Sequence, residues 1–314
     1  MHERERIVII TGANSGIGKA AATQFAQAGH TVIMACRNLK TSKVVQQEII
    51  DTTNNTRVDL MELDVSSFQS INKFCDEFKQ NYDKLDILIH NAAYFNHGER
   101  HRLSIDELEL TFATNVFGPF YMTSLLVDDL KKSDDPRILH AGSNIIKHFF
   151  DPKKDINTNS LQGEWKGKRY RVYDMYCQSK MALMLLTFKM AEEYKDAQIK
   201  VNALQINGAK MSNETIKKVK PWWRPIARMQ NLFFPPTSYM ANNYYDICTS
   251  ENYKNTTGVI FNDKLTIMEP APNAPGLKQQ IQQLFGSRFY PYYGENNEKR
   301  QEIWNLCKEV TMRA

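Results

Sequence analysis

Ile7-Val8-Ile9-Ile10-Thr11-Gly12-Ala13-Asn14-Ser15-Gly16-Ile17-Gly18-Lys19 is the stretch on which the reading of this 314-residue chain turns. Four consecutive aliphatic, β-branched residues suit a strand covered on both faces, and a helical pattern follows over Lys19 to Ala28. Between them, glycines at 12, 16 and 18 leave no Cβ where a pyrophosphate has to approach the backbone. The helix N-terminus behind them offers free N–H groups and a partial positive charge to such an anion. The spacing is GxxxGxG rather than GxGxxG, and a glycine turn alone could simply cap a strand-to-helix junction. Its place after the first strand and before a helix favours a phosphate cradle. Gly12, Asn14, Ser15, Gly16, Ile17 and Gly18 are its candidate cofactor contacts.

Outward from this turn, β-branched runs recur at Thr31-Val32-Ile33-Met34, Val58 to Leu63, Leu85 to Ile89, Ile138-Leu139 and Ile199-Lys200-Val201. Helical patterns lie between them, at Phe68 to Tyr82 and Ile105 to Leu130 among others. The alternation predicts right-handed βαβ crossovers and an α/β fold, a doubly wound parallel sheet (Rossmann fold) of about seven strands. The seventh strand is expected at Val259-Ile260-Phe261, after a helical insertion over 206–250. No linker or repeat divides the chain, so 1–314 reads as one domain with 264–314 as a C-terminal extension.

Composition narrows the function classes. With 42% hydrophobic and 24% charged residues, the chain can bury a core without disulfides. The net charge of +5 is mild and its cations are dispersed, which argues against nucleic-acid binding. Cys36, Cys75, Cys177, Cys248 and Cys307 are far apart and odd in number. That spacing fits neither a metal site nor a disulfide framework, and no metal is expected. Only four apolar residues follow the charged start, and no later stretch reaches the roughly 20 that a spanning helix needs. The expectation is a soluble, cytoplasmic protein, or one lying peripherally on a membrane surface.

The chemistry-bearing residues come later in the chain. Tyr176 and Lys180 stand four apart in the helical pattern Met175 to Met190, hence on one face. A phenol titrating at about 10 is poorly matched to neutral pH, and a nearby cation favours its phenolate. Tyr170 and Tyr173 are not followed by a lysine at that spacing. Ser143 lies just beyond the strand Arg137 to His140, at the carboxyl end where an open parallel sheet binds ligands. After the second strand comes Ala35-Cys36-Arg37-Asn38, with no carboxylate for ribose hydroxyls. Arg37 is either a solvated strand-end residue or a planar fork for a 2′-phosphate.

Thr11-Gly-Ala-Asn-Ser-Gly-Ile-Gly18 resembles the cofactor loop of the short-chain dehydrogenase/reductase family. The likeness runs on through Leu63-Asp64-Val65, Ile89-His90-Asn91-Ala92-Ala93, Thr114-Asn115-Val116, Ser143 and Tyr176-Cys-Gln-Ser-Lys180, in the family's order. Met34-Ala35-Cys36-Arg37 and Thr257-Gly258-Val-Ile-Phe-Asn262 resemble its retinol dehydrogenase-like branch most. The resemblance implies a catalytic tetrad of Asn115, Ser143, Tyr176 and Lys180. In it, Asn115 holds a relay water and Lys180 lowers the Tyr176 pKa while contacting the nicotinamide ribose. It implies NADP(H) rather than NAD(H) through Arg37. Asp64 and Val65 are then expected at the adenine and Asn91 and Ala92 beside the cofactor. Gly208 and Ser212, in the loop after the sixth strand, complete the contacts. His90 and Ala93 depart from the family's Asn-Asn-Ala-Gly, and Asn207 stands where it carries proline. The resemblance also implies a homodimer, paired through helices that include the Tyr176–Lys180 element.

Residues 216–234 place Trp222, Trp223, Ile226, Met229 and Phe233 at helical spacing, with Lys217, Lys218, Lys220, Arg224 and Arg228 between or before them. Such a segment suits a lid over a hydrophobic substrate, contact with an anionic membrane surface, or packing on the protein's own core. The leading expectation is an oxidoreductase acting on CH–OH/C=O with NADP(H), moving a hydride to or from a lipophilic, retinoid- or steroid-like substrate. A reductase of a specialised biosynthetic metabolite and a non-catalytic dinucleotide sensor are the alternatives.

Overall fold

The computed structural model describes residues 4–95, 100–158, 170–211, 216–217, 224–273, 283 and 286–312. The first strand, β1 (Ile7–Thr11), is followed by α1 (Gly16–Gln27), β2 (Thr31–Cys36), α2 (Leu39–Thr53), β3 (Val58–Glu62), α3 (Phe68–Asn81) and β4 (Ile87–His90). A short helix α4 (Leu110–Phe112), a π-helical turn (Ala113–Phe117) and α5 (Gly118–Leu130) lead to β5 (Arg137–Ser143) and a 3₁₀ segment (Asn144–Phe150). Then come α6 (Val172–Glu193), β6 (Lys200–Ile206), α7 (Arg224–Phe233), α8 (Thr237–Thr249) and β7 (Ile260–Phe261). The C-terminal segment holds the two-residue strands β8 (Glu269–Pro270) and β9 (Phe289–Tyr290) and the helix α9 (Asn297–Thr311).

All seven strands of the main sheet run parallel, in the order β3-β2-β1-β4-β5-β6-β7. The direction of winding therefore reverses between β1 and β4, and this switch point opens the crevice at the strands' carboxyl ends. Alternate residues serve opposite layers, as a period of two requires. Val8, Ile10, Val32 and Met34 pack with α1, α2 and α8, whereas Ile9, Ile33, Leu88 and Ile138 pack with α3, α5, α6 and α9. Each fully buried aliphatic or aromatic side chain there contributes roughly 1.5–3 kcal/mol.

Four features differ from the sequence reading. The helix expected from Ile105 begins at Leu110, because Ile105 is exposed and Glu107 adopts a left-handed backbone (φ 58°) that no α-helix accommodates. The helical run Leu110–Leu130 does reach membrane-spanning length, against the expectation that no stretch would, but 72% of its apolar window is buried inside the protein. Ser143 is the last residue of β5 rather than lying beyond it. Of the insertion expected over 206–250, α8 belongs to the layer covering the sheet, because Met240, Ala241, Tyr244, Ile247 and Cys248 are buried against it.

Candidate active site

The glycine turn leaves the end of β1 with its backbone in the left-handed region at Gly12 (φ 68°) and Gly16 (φ 56°). A Cβ on Gly18 would collide with the Gly12 carbonyl oxygen and the Asn91 amide. Ser15 caps α1 without a side-chain hydrogen bond, and no acidic residue stands in the first turn. Its N–H groups have neither a competing carboxylate nor a side-chain acceptor at the cap. The turn is thus bare, tight and free of negative charge, which fits a pyrophosphate. Ser15 and Gly16 are exposed, Asn14 and Ile17 half-buried.

The neighbouring β4 end braces this turn. Asn91 Nδ2 donates to Thr11 O (2.9 Å), and the Ala92 N–H donates to Thr11 Oγ1 (2.9 Å). Tyr244 in α8 donates to Asn91 Oδ1 at 3.3 Å. The Asn91 amide is thereby committed to the scaffold of the turn. Asn14 Nδ2 donates to Ser42 Oγ (2.9 Å), tying the loop to α2. At the outer edge Arg37 is exposed, its guanidinium 3.9 Å from Asp64 Oδ2. Asp64 Oδ1 accepts from both the N–H and the hydroxyl of Ser66, and Val65 is buried. Gly208 lies beneath the ring of Phe234; Ser212 lies outside the described residues.

Across the crevice, β5 and α6 bring the Ser143 hydroxyl close enough to the Tyr176 phenol to act on its titration. Burial pushes the Tyr176 phenol above its ordinary value, against the lowering effect of Ser143. Lys180, one helical turn on, is buried; its Nζ donates to Ala141 O (2.8 Å) and lies 5.9 Å from the centre of the Tyr176 ring. Burial lowers the ammonium to about 8. Burial prevails at the phenol, whose titration is raised rather than lowered as the sequence leads us to expect from Lys180. Asn115 sits buried in the π-helical turn. Its Oδ1 accepts from the Tyr94 N–H (2.8 Å), and its Nδ2 donates to Tyr94 O (3.2 Å) and Ser179 Oγ (3.0 Å). Its side chain thus joins the β4 loop to α6 rather than facing open space.

The other nearby tyrosines are engaged elsewhere: Tyr170 donates to Glu109 Oε1 (2.7 Å), and Tyr173 bonds the His148 ring (2.6 Å). Sequence reasoning missed Phe95, whose half-exposed ring packs on Tyr176 with centroids 4.4 Å apart. It also missed Tyr244; no local pattern links it to Asn91, 153 residues away. Beneath the site, His90 and His140 are paired across β4 and β5 with their rings stacked 5.2 Å apart. His90 Nε2 bonds Thr123 Oγ1 (2.8 Å) and His140 Nδ1 bonds Thr187 Oγ1 (2.9 Å). Burial drives His90 down to about 3 and His140 well below its ordinary value, so both are neutral. Among the described residues no cluster of His, Cys, Asp or Glu could hold a metal ion.

The family profile described as short chain dehydrogenase matches residues 6–150. Mouse (Mus musculus) retinol dehydrogenase 13 is 31% identical over 281 residues, covering 86% of this chain and 78% of that protein. Among solved structures, an uncharacterized protein from Mycobacterium Paratuberculosis superposes with a TM-score of 0.68 at 21% identity, covering 98% of this chain and 93% of its own. A short chain dehydrogenase of Shigella flexneri 2a, solved with NADP, has a TM-score of 0.64 at 21% identity, covering 83% and 98% respectively. With the parallel sheet and its glycine turn already in place, these likenesses show that the chain belongs to the short-chain dehydrogenase/reductase family, in its retinol dehydrogenase-like branch.

Proposed function

We propose that this protein is an NADP(H)-dependent oxidoreductase that interconverts a lipophilic carbonyl compound and its alcohol, with Tyr176 as the proton-transferring group. The observation that carries the reading is the Ser143–Tyr176 hydroxyl pair at the carboxyl end of β5, with Lys180 buried one turn behind it. When bound, the nicotinamide dinucleotide supplies or accepts a hydride at the substrate carbon. The bare turn at Gly12, Gly16 and Gly18 would hold its pyrophosphate, Asp64 and Val65 would border the adenine, and Arg37 would grip a 2′-phosphate.

Ser143 Oγ donates a hydrogen bond that places the substrate oxygen. Tyr176, kept protonated by burial, gives its proton to that oxygen as negative charge develops there during reduction. Lys180 stabilises the resulting phenolate, and its weakened ammonium can return a proton near neutral pH. Asn115 fixes the position of α6 relative to the β4 loop. Support for a lipophilic substrate comes from Phe95 beside Tyr176 and from α7, which is tied to the loop after β6 by Asn231 bonding the Met211 N–H and carbonyl. Trp222 and Trp223 of this lid segment lie outside the described residues.

The test is NADPH consumption over a carbonyl panel. Long-chain and polycyclic carbonyls are expected to turn over best. Tyr176→Phe should reduce kcat by about 100-fold or more while NADPH still binds by fluorescence titration. Retained turnover in that variant, or turnover confined to short polar carbonyls, overturns the assignment.

A further inference from the structure

We propose that the C-terminal segment is a clasp on the chain linking Ser143 to Tyr176, and that Tyr293, Lys299 and Glu302 are positioning residues for bulky substrates. The inference rests on the hydride-transfer reading above and assigns a role to residues that touch no reacting atom. The connection after Ser143 has to return to α6 just ahead of Tyr176, so it adjoins both residues along the chain. Its described part, Asn144–Phe150 and 151–158, has little sheet or helix structure of its own beyond the 3₁₀ turn. What holds it in place arrives from elsewhere.

From the C-terminal side, the Tyr293 hydroxyl donates to Asp155 Oδ1 (2.5 Å), and its ring packs on Phe149 with centroids 5.0 Å apart. Lys299 Nζ reaches both Asp155 (3.1 Å) and Glu302 (3.0 Å). Thr158 Oγ1 donates to Glu302 Oε1 at 2.5 Å. From α6, Gln178 Oε1 accepts the Asn157 N–H (2.8 Å). The turn ahead of α9 presses Gly294 so close to Met184 that a Cβ would collide with its methyl group. Met184 lies one turn beyond Lys180 and lines a small cavity with Ser143 and Lys180. The same segment therefore touches both the loop that follows Ser143 and the helix that carries Tyr176.

Charge supports the arrangement. Burial would raise the Asp155 carboxyl, yet hydrogen bonds from Tyr293 and Lys299 outweigh it and hold it below the usual range. The hydrogen bond from Thr158 holds Glu302 low as well. Single ion pairs at such exposure are weak, whereas a connected set acts together. The anchor is separate: Ile303, Trp304, Cys307 and Val310 of α9 are buried in the core. Removing the polar tips therefore leaves α9 docked.

The experiment compares the full chain with Lys299→Met and Tyr293→Phe. Each variant should raise KM for a polycyclic carbonyl by about fivefold, with kcat and NADPH affinity within about twofold, and Lys299→Arg should restore KM. Hydrogen–deuterium exchange over residues 149–158 should quicken by about fivefold in both variants, a readout that needs no turnover. Unchanged exchange together with unchanged KM overturns the clasp; quickened exchange with unchanged KM removes its role in substrate positioning. If the unmodified protein reduces no carbonyl, the hydride-transfer reading falls instead, and exchange alone then decides whether the clasp exists.

Discussion

In the proposed NADP(H) reading, cofactor choice turns on Arg37. It stands at the end of β2 with Cys36 and Asn38 beside it, and its contact with Asp64 is long and exposed. Such a pair is worth little in water, so the guanidinium stays available to a better anion. Two charge-assisted hydrogen bonds to a phosphate are worth far more. Arg37→Ala should raise KM for NADPH by about tenfold or more, while the NADH value moves by less than about twofold. Steady-state kinetics with each cofactor checks this, and a protein already faster with NADH would reverse the assignment.

At the scale of elements, α7 departs most from ordinary packing. Met229, Leu232 and Phe233 are 58%, 77% and 83% exposed, so core packing does not account for this turn. Phe233→Ser should leave stability within about 0.5 kcal/mol, yet raise KM for long-chain carbonyls by about fivefold if the ring closes over substrate. Thermal melts beside kinetics separate the two effects, and an unchanged KM removes α7 from the substrate path. The same scale shows what local pattern can reveal. The runs at Ile7 and Thr31 announced their strands because a strand buried on both faces needs an unbroken apolar run. The glycine turn and the Tyr176–Lys180 spacing were legible because their chemistry lies within a few residues. The left-handed Glu107 carries no such mark, and neither does α8 as a core helix. Tyr244 with Asn91 and Thr158 with Glu302 are joined 153 and 144 residues apart, and polar pairs at that range leave no periodicity to read.

For the molecule as a whole, the buried His90–His140 stack sets a limit on acid tolerance. His90 Nδ1 and His140 Nε2 are buried without a hydrogen-bond partner among the described residues. Burial holds the folded-state pKa of His90 at about 3, below its ordinary 6.5. The unfolded chain consequently binds more protons between those values. The stability linked to this group is complete above pH 6.5 and is lost progressively as pH falls towards 3. By linkage the loss for His90 alone is about 2 kcal/mol at pH 5. Calorimetric Tm should fall between pH 7 and pH 5, and His90→Asn should flatten that slope; a flat profile in the unmodified protein would contradict the neutral pair.

The docking of α9 on α6 has one more consequence, for biogenesis. Trp304 meets Tyr194, the residue that caps the end of α6, edge-on at 6.3 Å, and Ile303 and Cys307 are buried in the same layer. A ribosome makes α6 long before it makes residue 304, so the oily outer surface of that helix emerges first and waits for its cover. During that interval the nascent polypeptide presents a sticky flank to every neighbour in the crowd, and chaperone capture or aggregation competes with its completion.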